Sequence, residues 1–230
     1  RPYQQPHPPV WITTGSAAST LPVAQHKHVG AVFLAGYSRV RPIFDAYREN
    51  YLKLHGEHAP LDRLAYCGLI YVGDDEKKAA EGANKMMWYM QANKVADHWK
   101  NPPGYHPPVV SANVLRGAHV SGSGAAYSTD LTEHMRRGNV FAGTPDQVYE
   151  QIKAFWEYSG GFGHMLMMGQ AGHMTEQETL RSMHLYNSEV YPRLKELAKT
   201  WDPEAIMDKR ADLPDRDHAE ITDLAVDFVR

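Results

Sequence analysis

The feature that most constrains this fold is the regular exchange of short apolar runs with helical patterns. Residues 10–13, 29–34, 64–72 and 162–168 are apolar runs of strand length, and each ends in a turn signal that leads into a helical pattern. Buried strands that alternate with helices pair in parallel, because each crossover must carry the chain back over the sheet. The pattern therefore predicts an α/β protein with about four βα units.

Four parallel strands fit two architectures. They can form an open, doubly wound sheet, or they can be half of an eight-stranded (β/α)8 barrel whose other strands lie on a different stretch of chain. The composition, 43% hydrophobic and 22% charged residues, predicts a packed globular core and is equally compatible with both architectures.

Two helix starts are marked by capping boxes. Thr144, Pro145 and Gln147 have the N-cap, first-turn proline and N3 pattern, and Thr175 and Glu178 repeat the cap and N3 pair. The spacing predicts helices that begin directly after Thr144 and Thr175.

The last strong helical pattern is interrupted by Pro192, which lacks a backbone donor and should kink the helix. The pattern places a stripe on one side of the helix, the kind of face that a helix of a globular protein buries, formed by Leu180, Met183, Asn187, Val190, Leu194 and Leu197.

Residues 101–129 break the alternating pattern with repeated proline and glycine, which predicts a long loop or a lid. Within it, the Gly122-Ser123-Gly124 run lacks the spacing of a phosphate-binding loop and the strand of a dinucleotide fingerprint, so we assign it to flexible loop. Residues 202–230 are expected to form a charged tail with a short helix over 219–229.

Charge and cysteine content exclude several classes of protein. The formal net charge of −3 gives no basic footprint for nucleic acid or for an anionic membrane surface, and no apolar run is long enough to span a bilayer. The single cysteine, Cys67, forms no intrachain disulfide, which predicts a reducing, cytoplasmic location. Because the sequence starts at Arg1 and not at Met, we expect that a further segment precedes it.

Two apolar features are assigned to packing and not to chemistry. Cys67 lies inside an apolar strand and is expected to be a small core residue. The Met86-Met87-Trp88-Tyr89-Met90 cluster predicts a core or oligomer face. The 13 histidines show no metal-ligand spacing such as His-Glu-x-x-His, so no metal site is predicted.

Three stretches, in this order, resemble the C-terminal half of the bacterial-luciferase-like flavin monooxygenases. They are the proline-led entry RPYQQPHPPVWI followed by Gly15-Ser16, the helix start GTPDQV at 143–148, and the strand FGHMLMMGQ at 162–170 with its closing helix. The resemblance covers residues 1–201. It implies a (β/α)8 TIM-type barrel of which this chain supplies about the last four βα units.

The first of these stretches ends in a candidate anion site, because its turn combines hydroxyls and a glycine with the unpaired amides of a helix start. The structural alternative is that Ser16 and Ser19 only cap the helix. The resemblance implies that this turn holds the phosphate of flavin mononucleotide (FMN). Some relatives have an acidic residue at the position of Gly15, so only the backbone contact carries over there. The residues concerned are Thr13, Thr14, Gly15, Ser16 and Ser19.

Gly169 and Gln170 follow the last strand, at the carboxyl end where barrel enzymes place their chemistry. Gln170 is a candidate for a hydrogen bond to the flavin edge or to the substrate, and the alternative is an ordinary βα loop.

The activity that the resemblance implies is oxygenation of a small organic substrate by O2 and reduced FMN, with the flavin delivered by a separate reductase. We assign no catalytic residue, because the first four barrel strands supply much of that pocket in relatives. A half-barrel exposes sheet edges and an apolar inner face, so we expect a homo-oligomer or pairing with the missing N-terminal half. The alternatives are a non-catalytic flavin-binding half-barrel and a hydride-transfer oxidoreductase that uses the deazaflavin F420.

Overall fold

The structure is a computed structural model that describes residues 2–88 and 130–205. The predictions for the loop or lid at 101–129, for Tyr89 and Met90, and for the tail beyond residue 205 lie outside the described residues.

Five strands and seven α-helices make up the described part of the chain. The strands are β1 (Trp11–Thr13), β2 (Val29–Phe33), β3 (Leu64–Val72), β4 (Val140–Gly143) and β5 (His164–Met168). The helices are α1 (Thr20–Gln25), α2 (Tyr37–His55), α3 (Glu76–Met86), α4 (Leu131–Arg136), α5 (Pro145–Ser159), α6 (Glu176–Leu185) and α7 (Tyr191–Lys199), with a π-helical turn at Tyr186–Val190.

All described strand pairs are parallel, which confirms the α/β class. The order β1-β2-β3-β5 follows the predicted succession of βα units, and β3 is the strand that joins them. Its first half pairs with β2 from Leu64 to Cys67, and β5 pairs with it from Ala65 to Leu69.

The additional strand β4 lies on the same edge of β3 as β2, but further along. Cys67 O accepts from Leu34 N at 3.0 Å, and Leu69 N donates to Asn139 O at 3.0 Å. Positions two apart on a strand direct their backbone groups to the same edge. On the opposite edge, Leu64 O accepts from Gly163 N at 3.1 Å. The strand β4 therefore extends the sheet beyond the barrel strands, and the alternation pattern alone did not reveal this pairing.

One face of the sheet is covered by helices α2 and α5 and forms the larger core. The β3 side chains on this face are Leu64, Tyr66, Ile70 and Val72, and all four are buried. A Cβ at Gly30 would lie 3.2 Å from the Tyr47 ring of α2, so this glycine lets the helix approach the sheet closely. Ile43, Phe44, Tyr47 and Tyr51 of α2 are buried there, whereas Leu54 is exposed at the last turn of the helix.

The opposite face is concave. The rings of Trp11 on β1 and His164 on β5 lie 4.7 Å apart, although β2 and β3 separate these strands. In a flat sheet three strand spacings amount to about 14 Å, so the sheet must curve strongly. This curvature is that of a barrel wall, and it decides against the open doubly wound sheet.

The lower part of the concave face, formed by β1, β2, the first half of β3 and β5, is apolar and open. Trp11, Phe33 and Leu166 are 41%, 46% and 39% exposed. Cys67, paired with Phe33 in register, lies between them and is half-buried. The prediction of a core cysteine is therefore only partly correct, because no described helix covers this part of the face.

A second, smaller core covers the upper end of the same face, which is formed by the second half of β3 and by β4. Helix α3 packs Met86 and Met87 against Leu69 and Tyr71, and both methionines are fully buried. This confirms the core assignment for Met86 and Met87, whereas Trp88 at the end of α3 is exposed.

The helix starts follow the predicted caps. Both capping boxes are present, with α5 starting at Pro145 and α6 at Glu176. The last helical pattern divides before Pro192 into α6, the π-helical turn and α7, as expected for a proline that cannot donate to the preceding turn.

The predicted stripe of this last helical pattern is partly wrong. Leu180 and Met183 are exposed, and Ser182 and Leu185 are buried in their place. The reason is a polar contact: the Ser182 hydroxyl accepts a hydrogen bond from Val72 N at 2.8 Å, and this orients the first half of α6 towards the end of β3.

Arg48 of α2 joins the helix layer to the end of α5. Its guanidinium donates to the carbonyl oxygens of Ser159 and Gly160, each at 2.9 Å, and also to that of Gly161. These carbonyls end α5 and have no intrahelical partner. The Arg48 side chain is only 11% exposed, so the contact is shielded from water.

We expect Arg48→Met to lower the free energy of unfolding by about 2 kcal/mol, because it leaves buried carbonyls without their charged donor. Urea denaturation followed by circular dichroism measures this change. The control is Lys53→Met, which removes the same charge from an exposed site on α2. Equal stability of the two variants would contradict this role of Arg48.

Candidate functional site

The predicted cofactor residues lie on one rim of the sheet. Parallel strands end at the same edge, so the turn after β1 and the loop after β5 both lie at the carboxyl rim. In the order of the sheet, β2 and β3 lie between the two groups along this rim.

The turn after β1 is tied to the neighbouring strand by Thr14. Its backbone N–H donates to Ala31 O at 2.8 Å, and its hydroxyl lies 3.5 Å from the same oxygen. Thr14 is buried, whereas Thr13, Gly15 and Ser16 are exposed. The Thr14 side chain therefore anchors the turn and does not face its open side.

Ser19 holds the turn in shape. Its hydroxyl donates to Ser16 O at 2.7 Å and accepts from Ser16 N at 3.3 Å. This is the capping role that the structural alternative assigned to Ser19. A Cβ added at Gly15 would meet nothing within 4 Å, so the open side of the turn is empty at this position.

A cationic residue that the sequence reasoning missed lies beside this turn. Nη2 of Arg39, in the first turn of α2, donates to Gly15 O at 2.6 Å. Because β1 and β2 are neighbours, the helix start after β2 lies next to the turn after β1. Consecutive parallel strands commonly lie side by side, and this rule could have predicted that Arg39, after β2, lies near the turn after β1.

These groups fit a phosphate monoester. An exposed hydroxyl, a glycine without a side chain and a guanidinium lie along one turn, and phosphate oxygens accept charge-assisted hydrogen bonds from such donors. Gly15 and Ser16 supply the neutral part of this arrangement, and Arg39 supplies the charge.

The turn between β2 and α2 is rigidly supported. Leu34 and Gly36 both have positive φ, 45° and 70°, and Asn139 Nδ2 donates to Leu34 O at 2.8 Å. The Tyr66 hydroxyl accepts from Gly36 N at 3.1 Å and donates to Gly138 O at 2.8 Å. Full burial raises the pKa of Tyr66, so this hydroxyl stays protonated and keeps its donor role.

The loop after β5 presents Gln170 to solvent, while Gly169 is half-buried beside Met167. Further on, Gly172 has φ 35°, and a Cβ there would lie 2.5 Å from the Trp88 ring. The end of α3 therefore sits directly on this loop.

A polar cleft of about 340 Å³ lies at the carboxyl end of β3, between the starts of α3 and α6. Asp74 accepts from Arg181 Nε at 2.9 Å and from Lys78 at 3.4 Å. Glu178 forms an ion pair with Lys85, and its carboxylate accepts a hydrogen bond from the backbone N–H of Thr175. These contacts lower the pKa of Glu178 to about 2. The charges lining the cleft are thus largely paired with each other.

The described residues contain neither a metal-binding cluster nor a helix suited to span a membrane. Within 2–88 and 130–205, no group of three or more His, Cys, Asp or Glu side chains could hold a metal ion. In the same ranges, no helix has the length and apolar character that crossing a membrane requires.

No known family model matches the chain, and no curated protein matches it significantly. Solved structures do match. Monooxygenase RslO1 from Streptomyces bottropensis has a TM-score of 0.58 at 19% identity, over 84% of this chain and 50% of its own. The oxygenating constituent of 3,6-diketocamphane monooxygenase from Pseudomonas putida, in complex with FMN, has 0.57 at 17% identity, over 81% and 49%.

A third match is the coenzyme F420-dependent tetrahydromethanopterin reductase from Methanopyrus kandleri, with a TM-score of 0.51 at 17% identity, over 80% of this chain and 50% of its own. At these identities the likeness shows the fold alone. The chain has the luciferase-like barrel fold, which confirms the resemblance inferred from the sequence. It spans about half the length of the solved structures it matches.

The lowered pKa of Glu178 predicts acid sensitivity. Its contribution to stability is complete above its ordinary value of 4.5 and is lost as the pH falls from about 4.5 through about 2. We expect Glu178→Gln to flatten the pH dependence of the unfolding free energy in this window by about 0.5–1 kcal/mol, as for a partly exposed ion pair.

Urea titrations at several pH values between 2 and 6 measure this effect. Glu176→Gln, at an exposed position in the first turn of the same helix, is the matched control. An unchanged slope in Glu178→Gln would contradict the assignment.

Proposed function

We propose that this chain is part of a luciferase-like monooxygenase that uses O2 and reduced FMN to oxygenate a small organic substrate. The observation that carries this proposal is the turn after β1, where Gly15 is open and the Ser16 side chain is exposed at the carboxyl rim. The luciferase-like fold supports it, and the FMN bound in the matched Pseudomonas putida protein makes a flavin the first candidate ligand.

Each residue of the turn has a distinct part in this proposal. The Thr13 and Ser16 hydroxyls and the Gly15 backbone contact the phosphate, Ser19 holds Ser16 in position, and Thr14 ties the turn to β2. The proposal extends to Gly169 and Gln170, with the Gln170 amide directed to the flavin edge or the substrate.

When bound, the reduced flavin supplies the chemistry that activates O2. The chain would hold the cofactor at its phosphate end. A separate flavin reductase is the proposed source of reduced FMN.

Hydride transfer with F420 is a second candidate, because the matched Methanopyrus kandleri reductase depends on that coenzyme. A third candidate is a flavin-binding half-barrel without activity, because the concave face is open. The absorption spectrum of the bound cofactor distinguishes flavin from deazaflavin. Oxygen consumption with substrate and a flavin reductase distinguishes the monooxygenase from the inactive protein.

We further propose that the concave face is covered by four more βα units. Trp11, Phe33 and Leu166 present an apolar surface, and an exposed apolar face of this kind marks an interface. The N-terminal half of a barrel would cover it, and a second copy of this chain is the competing occupant.

For the turn, we expect Gly15→Val to abolish FMN binding, because its side chain enters the empty space beside the turn without a clash in the protein. Ser16→Ala should weaken binding about tenfold, the effect of one hydrogen bond to a charged group. Quenching of FMN fluorescence measures both, and Ser188→Ala is a control on the remote π-helical turn. Unchanged affinity in both turn variants would refute the phosphate site.

For the concave face, we expect the isolated chain to form oligomers and Phe33→Glu to disrupt them, because a charge cannot be buried in an apolar interface without a partner. Size-exclusion chromatography with light scattering measures the mass. Leu180→Glu introduces the same charge at an exposed apolar site on α6 and should leave the oligomer intact. A folded wild-type monomer would contradict the proposal.

A further inference from the structure

The polar cleft at the carboxyl end of β3 contains a hydroxyl group that the fold itself does not use. Tyr71 lines this cleft, and the residue is only 6% exposed. Among the described residues, none exchanges a hydrogen bond with the Tyr71 hydroxyl. Side chains that are buried to this extent normally pair their polar atoms. An unpaired hydroxyl at the wall of a cleft therefore indicates a ligand.

The position of this hydroxyl is fixed by helix α3. A Cβ added at Gly82, inside α3, would lie 2.1 Å from Cζ of Tyr71, the ring carbon that carries the hydroxyl. A glycine inside a helix weakens the helix, and here it leaves the space that the Tyr71 ring occupies. The hydroxyl is therefore held against α3, where Glu81 directly precedes Gly82.

The two cations that line the cleft are already neutralised. Nε of Arg181 donates to Asp74 at 2.9 Å. Nζ of Lys78 lies 3.4 Å from a carboxylate oxygen of Asp74 and 3.8 Å from one of Asp75. Two carboxylates thus balance two cations beside the start of α3, so this part of the cleft has no excess charge.

The charge that remains in the cleft is negative. Glu178 is balanced by its ion pair with Lys85. Glu81 also lines the cleft, and within the part of the chain that the structure describes its carboxylate has neither a hydrogen bond nor an ion pair. Burial raises the pKa of Tyr71, and the nearby carboxylates, Glu81 among them, raise it further, so the hydroxyl stays protonated. The Glu81 carboxylate and the Tyr71 hydroxyl are therefore available to a ligand.

We propose that this cleft binds a small organic molecule through a protonated amine, which donates to the Glu81 carboxylate and to the Tyr71 hydroxyl oxygen. An ammonium group fits this pair, because it has a positive charge, three donors and no acceptor. Gln177, exposed at the start of α6, lines the same cleft and can contact the rest of the molecule. In the order of the sheet, β2 separates this cleft from the turn after β1, and binding here does not require a flavin.

The test uses benzylamine and benzyl alcohol as probes on the full chain. The two molecules share one carbon skeleton and differ in a single group, which is a charged ammonium in the first and a neutral hydroxyl in the second. Glu81→Gln removes the charge of the site and keeps its size, and Tyr71→Phe removes only the hydroxyl. Glu49→Gln is the matched control, because it removes the same charge from an exposed site on α2.

We expect the wild type to bind benzylamine at least about tenfold more tightly than benzyl alcohol, the effect of a hydrogen bond to a charged group. Glu81→Gln should abolish this preference, and Tyr71→Phe should weaken benzylamine binding about fivefold, the effect of one neutral hydrogen bond. Glu49→Gln should bind both probes like the wild type. NMR titrations of the isotope-labelled protein measure the affinities, and thermal unfolding of each variant checks that the fold is intact.

Three results would overturn the ammonium site. They are equal affinity of the wild type for the two probes, an unchanged preference in Glu81→Gln, and an equal loss of preference in Glu49→Gln, which would indicate an effect of net charge only.

FMN binding, measured on the same variants by fluorescence quenching, distinguishes this site from the proposed flavin site. A lost amine preference with unchanged FMN affinity in Glu81→Gln would support a separate site. If the wild type binds benzylamine but not FMN, the proposed function fails and the ammonium site stands.

Discussion

The structure depends on the pairing of β3 with three other strands. Its nine residues are long enough to hold β2 and then β4 on one edge, and β5 on the other. Both faces of its upper half are covered, by α5 and α6 on one side and by α3 on the other. This one strand therefore fixes the barrel wall and the extension above it.

The curvature of the sheet determines what each of its two faces can contact. Helices cover the convex face and α3 covers the upper end of the concave face, so only the lower part of the concave face is left to a ligand or to another part of a barrel. Because the strands are parallel, their carboxyl ends lie at one rim. Because β1 and β2 pair side by side, Arg39 after β2 contacts Gly15 after β1. The position of Arg39 beside the turn is thus a consequence of strand order and not of a local motif.

Much of the local structure could be predicted from the sequence because its causes are local. The capping boxes at Thr144 and Thr175 and the interruption of the helix before Pro192 depend on residues within a few positions of each other. The exposed Leu180 shows the limit. Apolar spacing predicted that the Leu180 side chain is buried. Instead, Ser182 accepts a hydrogen bond from Val72 N, so the Ser182 side of the helix faces β3 and Leu180 is exposed.

By itself, the sequence determined four of the five described strands, the helix starts, the parallel α/β class and the turn after β1, because propensity, capping and apolar period act over a few residues. Only the tertiary structure decided the concave curvature, the shared edge of β2 and β4, and the half-exposure of Cys67. It also decided the contact of Arg39 with Gly15, across 24 positions of chain. These features depend on which strands lie side by side, and that is set by the packing of the whole sheet.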